Sequence, residues 1–226
     1  MEKDYDAILI ATGVYKARQL DIDTSTVNNS IPALDFLIES NRTGLGDSPS
    51  KNKYLTAKDK HVVVIGGGDT AMDCVRTAIR QQAKEVTCLY RRNKENMPGS
   101  AREVLNAEQE GIKFNWLSVP SKIISDSATA TSMTYKVATL GEVDESGRRK
   151  PIDTGVEKQI KSDLIIQALG FEPEDLNHNF KTNIELTSWK TVKVDFKKFQ
   201  TSNPKIFAAG DIAVSYTHLR AHETVS

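Results

Sequence analysis

The stretch His61–Arg92 reads HVVVIGGGDTAMDCVRTAIRQQAKEVTCLYRR and decides the fold of this protein. Its apolar run Val62–Ile65 leads without a polar break into three glycines, and an amphipathic segment follows. That order is typical of a buried parallel strand that turns tightly into a helix. A second apolar strand is predicted over Val86–Tyr90. The sequence therefore predicts the β–α–β unit of an α/β, Rossmann-like NAD(P)-binding domain with a parallel sheet.

The glycines have the spacing of the dinucleotide fingerprint G-x-G-x-x-A, whose fixed positions are Gly66, Gly68 and Ala71. Gly66 would allow the turn, Gly68 would let a pyrophosphate approach the backbone, and Ala71 would let the helix pack closely on the strand. Gly67, between the two fixed glycines, is a fourth candidate. Amide groups at the start of the helix would hold the pyrophosphate. The alternative is an ordinary strand–turn–helix that binds no nucleotide.

Arg91 and Arg92 end the second strand, where an NAD-binding domain would place an acidic side chain on the ribose 2′-OH. A carboxylate would repel a 2′-phosphate, whereas a guanidinium binds one through paired hydrogen bonds. The arginine pair therefore favours NADPH over NADH. The alternative is a solvated basic pair at a strand end.

The composition excludes several classes of protein. Lys plus Arg and Asp plus Glu both number 30, so no basic excess indicates nucleic acid. No apolar run reaches membrane length, and the first residues, MEKDYD, are charged where a signal peptide would be apolar. We expect a cytoplasmic protein with neither nucleic acid nor membrane as a partner. The two cysteines, Cys74 and Cys88, form no C-x-x-C motif and are expected in the core, and the four histidines have no metal-ligand spacing.

Two segments of the chain resemble each other. Residues 6–14 read DAILIATGV and residues 163–171 read DLIIQALGF, so Gly13 and Gly170 hold the same position. The repeat suggests two related nucleotide-binding domains, one inserted in the other. Chance likeness of two strand ends is the alternative.

Local signals predict two further helices. One is expected over Ser30–Ile38 with Ser30 as its N-cap, followed by a loop and linker over Asn41–Lys60. The other would begin at a capping box formed by Ser100 and Glu103 and end at Gly111.

Short apolar groups in the second half predict a small antiparallel meander. Its strands are expected at Phe114–Leu117, Ser121–Ile124 and Met133–Leu140, with an exposed hairpin tip at Gly141–Lys150. The loop Asn93–Gly99 lies where it could cover a bound cofactor.

Several long strings together carry a family resemblance. VVVIGGGDTAMDCVRTAIRQ, VTCLYRR, NMPGSAREV, AEQEGIKF and QTSNPKIFAAGD closely resemble the small (beta) subunit of NADPH-dependent glutamate synthases and its flavin-reductase relatives. The likeness runs from about Tyr5 to Ile212. It implies a flavoprotein with two dinucleotide-binding domains, an FAD domain being interrupted by an NADPH domain. Hydride would pass from nicotinamide to FAD, and electrons would continue through iron–sulfur clusters.

The resemblance also implies a partner and a reaction. The partner would be the glutamate synthase large subunit, and the reaction would form glutamate from glutamine and 2-oxoglutarate. Two alternatives stay open. One is a related NADPH oxidoreductase with another electron acceptor, like dihydropyrimidine dehydrogenase or the ferredoxin–NADP transhydrogenases, and the other is an NADPH-binding module without turnover.

Site residues follow from the same resemblance. It implies that Asp69 and Thr70 line the pyrophosphate site beside the glycines, and that Arg91 and Arg92 bind the 2′-phosphate. It implies no catalytic acid–base residue, since the cofactors carry the chemistry. The residues implied for the FAD side are Gly13, which ends the first FAD segment, Gly210 and Asp211, while Gly170 closes the return strand of the inserted domain.

The resemblance therefore predicts an FAD-binding domain that is discontinuous along the chain. Because the family places an FAD fingerprint and a cysteine-rich iron–sulfur domain upstream of the first strand, we expect a fragment with an incomplete FAD site and no turnover alone. The tail from Ala213 is polar and resembles a translated adaptor. The expected parts are a partial FAD domain over 1–40, a linker over 41–60, the NADPH domain over 61–171, an FAD return segment over 172–212 and a non-native tail over 213–226.

Overall fold

The computed structural model describes residues 4–48, 52–143, 149–195 and 197–214. They form two compact units, and each contains its own small sheets and helices. We call residues 19–170 the inserted unit, and the described residues before 19 and after 170 the discontinuous unit. The strands are β1 (Ile8–Ile10), β2 (Lys16–Ala17), β3 (Ser30–Pro32), β4 (His61–Ile65), β5 (Glu85–Leu89), β6 (Lys113–Asn115), β7 (Ser118–Asp126), β8 (Thr129–Val143), β9 (Arg149–Lys161), β10 (Leu164–Gln167), β11 (Phe171–Glu172), β12 (Val192–Lys193), β13 (Ile206–Ala208) and β14 (Ala213–Val214). The α-helices are α1 (Ala33–Gly44), α2 (Asp69–Arg80), α3 (Ala101–Gln109) and α4 (Leu176–Phe180).

A five-stranded parallel sheet is the centre of the inserted unit, with the strand order β3-β10-β4-β5-β6. Successive side chains of a strand point to opposite faces. Val62 and Val64 of β4 accordingly pack with α1, α2 and α3 on one face, where Phe36 and Met72 are fully buried. The sheet thus buries a continuous apolar strand, as parallel sheets do.

An antiparallel meander covers the opposite face of this sheet. Its three strands have the order β7-β8-β9, and Met133 of β8 packs against Val63 and Ile65 of β4. The predicted α/β class, with a parallel sheet and a meander, is therefore confirmed. The predicted hairpin tip lies largely outside the described residues, because 144–148 are not among them.

Asn29 fastens three segments of the inserted unit together. Its buried amide Nδ2 donates to the carbonyl oxygens of Ala130 and Asp163, each at 2.9 Å, and its Oδ1 accepts from the amide of Ala130 at 2.6 Å. The residue just before β3 is thereby joined to the meander and to the start of β10.

The discontinuous unit is built on two parallel strand pairs. β1 pairs with β13, and β12 pairs with β14, while β2 and β11 form a short antiparallel pair. Ile10, Ile206 and Ala208 pack with the buried Leu176 of α4 and with Val192 in one apolar cluster.

Two sequence-based boundaries differ from the structure. Ser30–Pro32 is the strand β3 rather than the start of a helix, because a residue before proline is driven to extended backbone and Ile31 pairs with Ile166. The helix α1 begins at Ala33 and buries Phe36 in the core of the inserted unit. Residues 19–48 and 52–60 belong to the same compact unit as the strands that follow them.

The predicted capping box and tail also need correction. Ser100 precedes α3, but its side chain makes no cap, and Glu103 pairs with Arg76 of α2 instead. Ala213 and Val214 belong to β14, so the folded part extends two residues into the predicted tail, whose remaining residues lie outside the described ranges. In the part of the chain that the structure describes, no helix is long and apolar enough to cross a membrane.

Candidate functional site

The turn from β4 into α2 requires glycine at its first position. Gly66 has a φ of +143°, which side-chain-bearing residues rarely adopt. A Cβ there would lie 2.8 Å from the carbonyl carbon of Ala168 and closer still to its oxygen. At Gly67 a Cβ would lie 3.0 Å from Cζ of Tyr90 and closer to two other ring carbons. Gly66 and Gly67 are thus fixed by contacts within the fold.

Gly68 differs from its two neighbours because open space lies beside it. It precedes α2 in extended backbone, with φ −90° and ψ 179°, and no atom lies within 4 Å of the position a Cβ would take. The first amides of a helix have no intrahelical acceptor and carry the positive end of its dipole. Ala71 is fully buried, which brings the first turn of α2 against the sheet. The backbone from Gly68 to Thr70 therefore presents amide donors to an open surface.

Arg91 and Arg92 follow β5, next to β4 in the sheet, but their environments differ. Arg91 is exposed, whereas Arg92 is only 6% exposed. The Nε atom of Arg92 donates to the carbonyl oxygen of Arg149 at 2.8 Å, and its own carbonyl oxygen accepts from the amide of Leu117. The structure thus ties Arg92 into the meander, and Arg91 is the exposed residue of the pair.

The loop from Asn93 to Ser100, here the 93–100 loop, is bonded to the glycine turn. The amide of Gly99 donates to the carbonyl oxygen of Gly67 at 2.8 Å, and the amide of Ser100 donates to Oδ1 of Asp69 at 3.0 Å. These two contacts place the loop beside the glycine turn, and its predicted role in covering a bound cofactor stays a prediction.

Tyr90 has a role that sequence reasoning missed. Its ring lies against Gly67, and its hydroxyl donates to the carbonyl oxygen of Asn96 at 2.7 Å. The signal was available in the register of neighbouring parallel strands, because Ile65 pairs with Leu89 and the next residue must therefore lie beside the glycines.

The remaining candidates end strands at other points. Gly170 has a φ of +83° and open space around it, two residues after the Ala168 carbonyl that touches Gly66. In the discontinuous unit Gly13 and Gly210 have φ values of +66° and +77°. The strands before them, β1 and β13, are parallel neighbours, so both glycines lie at the same sheet edge. Asp211 is exposed directly after Gly210.

Neither cysteine is placed for redox chemistry. Cys74 and Cys88 are buried and unbonded to each other, and burial raises the pKa of both thiols well above the ordinary value. A reactive cysteine needs the opposite, a lowered pKa and access. Among the described residues no three His, Cys, Asp or Glu side chains lie together as a metal site would require.

Comparison of the sequence with known proteins identifies a family and several relatives. The family described as pyridine nucleotide-disulphide oxidoreductase matches residues 2–224. The glutamate synthase [NADPH] small chain of Azospirillum brasilense is 47% identical over 216 residues, which cover 94% of this chain and 45% of that protein. The corresponding small chain of Escherichia coli strain K12 is 41% identical, with 92% and 46% covered. The chain thus spans about half the length of these curated relatives.

A solved structure supports the fold alone. The thioredoxin reductase of T. acidophilum superposes with a TM-score of 0.71 at 21% identity, covering 92% of this chain and 58% of that one. The fold of this chain is therefore similar to that of part of this thioredoxin reductase.

Proposed function

Because the chain belongs to the pyridine nucleotide-disulphide oxidoreductase family, we propose that its inserted unit binds NADPH and that it forms part of the flavoprotein small subunit of a glutamate synthase. One observation carries the nucleotide part of this proposal. It is the open backbone at Gly68, at the start of α2, with the exposed Arg91 at the end of the neighbouring strand β5.

Each residue of this site would have a distinct duty. The amides from Gly68 to Thr70 would donate to the pyrophosphate, helped by the dipole of α2. Gly66 keeps the turn tight enough for those amides to share one surface. Arg91 would bind the 2′-phosphate, while Arg92 holds the segment behind it through the carbonyl of Arg149.

The discontinuous unit would contribute to an FAD site. Gly13 and Gly210 end parallel neighbours, and the open space at Gly210 with the exposed Asp211 fits a hydroxyl-bearing cofactor chain better than an apolar one. The two cofactors would supply the chemistry, a hydride transfer from NADPH to FAD, and the protein would supply placement and electrostatics. Transfer through iron–sulfur clusters, the large subunit as partner and a cytoplasmic location belong to the same proposal and rest on the likeness to glutamate synthase small chains.

Calorimetric titration of the purified chain tests the nucleotide site. We expect NADPH to bind at least about tenfold more tightly than NADH, because a charged hydrogen bond to the 2′-phosphate contributes about 1.5–3 kcal/mol. Equal affinities would contradict the 2′-phosphate contact. Absence of binding by both nucleotides would contradict the whole site.

Loading with FAD tests the flavin part separately. The expectation is that this chain alone retains less than one equivalent of FAD after gel filtration and does not reduce a dye with NADPH. Stoichiometric retention with NADPH-dependent dye reduction would show that the FAD site lies within these residues.

A further inference from the structure

The side chain of Asp69 does not share the proposed role of its backbone amide, which is to bind the pyrophosphate. A carboxylate facing a pyrophosphate would meet like charge, and such a contact is unfavourable at short range. In the structure Oδ1 of Asp69 instead accepts the amide of Ser100, the residue just before α3. Its charge therefore lies near the positive end of α3 as well as α2.

This contact is one of three that hold the 93–100 loop against the glycine turn. The others are the Gly99 amide on the carbonyl of Gly67 and the Tyr90 hydroxyl on the carbonyl of Asn96. Two of these contacts use a side chain, those of Asp69 and Tyr90, and Asp69 is the one that directly follows the glycines. The side chain of Ser100 itself makes no cap at the start of α3.

We propose that Asp69 is a positioning residue for nucleotide specificity: it pins the 93–100 loop to the glycine turn and so fixes the segment that begins with Arg91. The inference rests on the proposed NADPH site. The loop starts directly after Arg91 and Arg92, and α3 follows it. The Arg92–Arg149 contact holds the near end of the loop and Asp69 holds its far end, so releasing Asp69 lets the loop beside Arg91 shift. Discrimination between NADPH and NADH then depends on Asp69 although its side chain contacts neither the 2′-phosphate nor the pyrophosphate.

The test compares three variants by calorimetry with NADPH and NADH. Asp69→Ala should lower the preference for NADPH by about five- to tenfold, a typical coupling between two sites. Asp69→Asn keeps an oxygen acceptor for Ser100 and should stay within about twofold of wild type. Asp73→Ala is the matched control, because Asp73 lies exposed one turn further along α2 and its loss removes the same charge.

Hydrogen exchange without nucleotide keeps the inference separate from the proposed function. The amide of Ser100 should exchange faster in Asp69→Ala than in wild type or Asp69→Asn. If wild type had no affinity for NADPH, the proposed function would be wrong. The exchange rate of the Ser100 amide would still show whether Asp69 holds the 93–100 loop. The inference is overturned if Asp69→Ala leaves the exchange rate of the Ser100 amide or the preference for NADPH unchanged. It is also overturned if Asp69→Ala binds both nucleotides more tightly, because that result would place the carboxylate next to the pyrophosphate.

Discussion

Substitution of the first and third glycines of the turn should separate folding from binding. In Gly66→Ala the new methyl group would meet the backbone of Ala168, at the end of β10, at less than 3.0 Å. The φ of +143° adds about 1–3 kcal/mol of backbone strain, and overpacking against a fixed backbone adds about another 1–3 kcal/mol. A loss of about 2–6 kcal/mol is a large share of the stability of an ordinary domain.

Gly68→Val is the matched counterpart in the same turn. Its φ of −90° and ψ of 179° suit a β-branched residue, and nothing lies within 4 Å of the new Cβ. We expect the free energy of unfolding to change by about 1 kcal/mol or less. The side chain would fill the space in front of the helix amides. Losing two charged hydrogen bonds, at about 1.5–3 kcal/mol each, would weaken NADPH binding about 100-fold or more.

Urea unfolding followed by circular dichroism measures the first effect, and calorimetry with NADPH measures the second. Gly66→Ala should unfold at markedly lower urea concentration than wild type, whereas Gly68→Val should unfold with it and fail to bind. Equal stability of Gly66→Ala and wild type would refute the steric argument at Ala168. Wild-type affinity in Gly68→Val would refute the pyrophosphate assignment, whatever the first variant does.

Four other substitutions have expected outcomes. Arg91→Ala should weaken NADPH binding about tenfold or more in calorimetry and leave NADH binding unchanged. Arg92→Ala should mainly lower the urea midpoint, by the equivalent of about 1–3 kcal/mol, because Arg92 is buried and bonded to Arg149. If Arg92→Ala weakened NADPH binding and Arg91→Ala lowered the stability, the assignment of Arg91 to the 2′-phosphate would be contradicted. Asn29→Ala leaves three backbone groups without their partner and should cost about 3 kcal/mol or more in urea unfolding, so a wild-type midpoint would count against it. Burial raises the pKa of Asp163, but hydrogen bonds from the amide and ring of His61 lower it by more, to below its ordinary value of 3.8. Asp163→Asn should therefore be less stable than wild type above pH 3.8, and this difference in stability should shrink as the pH falls below that value. A stability difference that stays constant with pH would contradict the contribution of the Asp163–His61 contact.

The sequence predicted what depends on neighbours along the chain. The apolar run before Gly66 and the amphipathic segment after it specify strand, turn and helix without help from elsewhere, and the structure confirms β4 and α2. Short apolar groups and turn residues found only part of the meander. Ser121–Ile124 and Met133–Leu140 lie in β7 and β8, but Phe114–Leu117 overlaps β6 of the parallel sheet, and β9 was not predicted.

Long-range packing decided what the sequence missed. Arg92 is buried because a carbonyl 57 positions later accepts its Nε proton, and no local pattern announces that contact. The packing of Phe36 was also missed, because its partners in the core include residues of strands far along the chain. Ser30 was assigned to a helix from its capping chemistry, whereas pairing of Ile31 with Ile166 makes that segment a strand.

The position of β10 has a consequence for the order in which the chain becomes structured. Leu164–Gln167 lies between β3 and β4, so the last strand of the sheet in sequence fills a gap between two of the earliest. Before β10 pairs, β3 and β4 each have an unpaired edge. The pairing of β10 with both strands closes a loop of more than about 100 residues, which costs conformational entropy. On the ribosome, the sheet can be completed only after residue 167 has left the exit tunnel. Folding should therefore be slow and late, and a nascent chain arrested before β10 should be a substrate for chaperones.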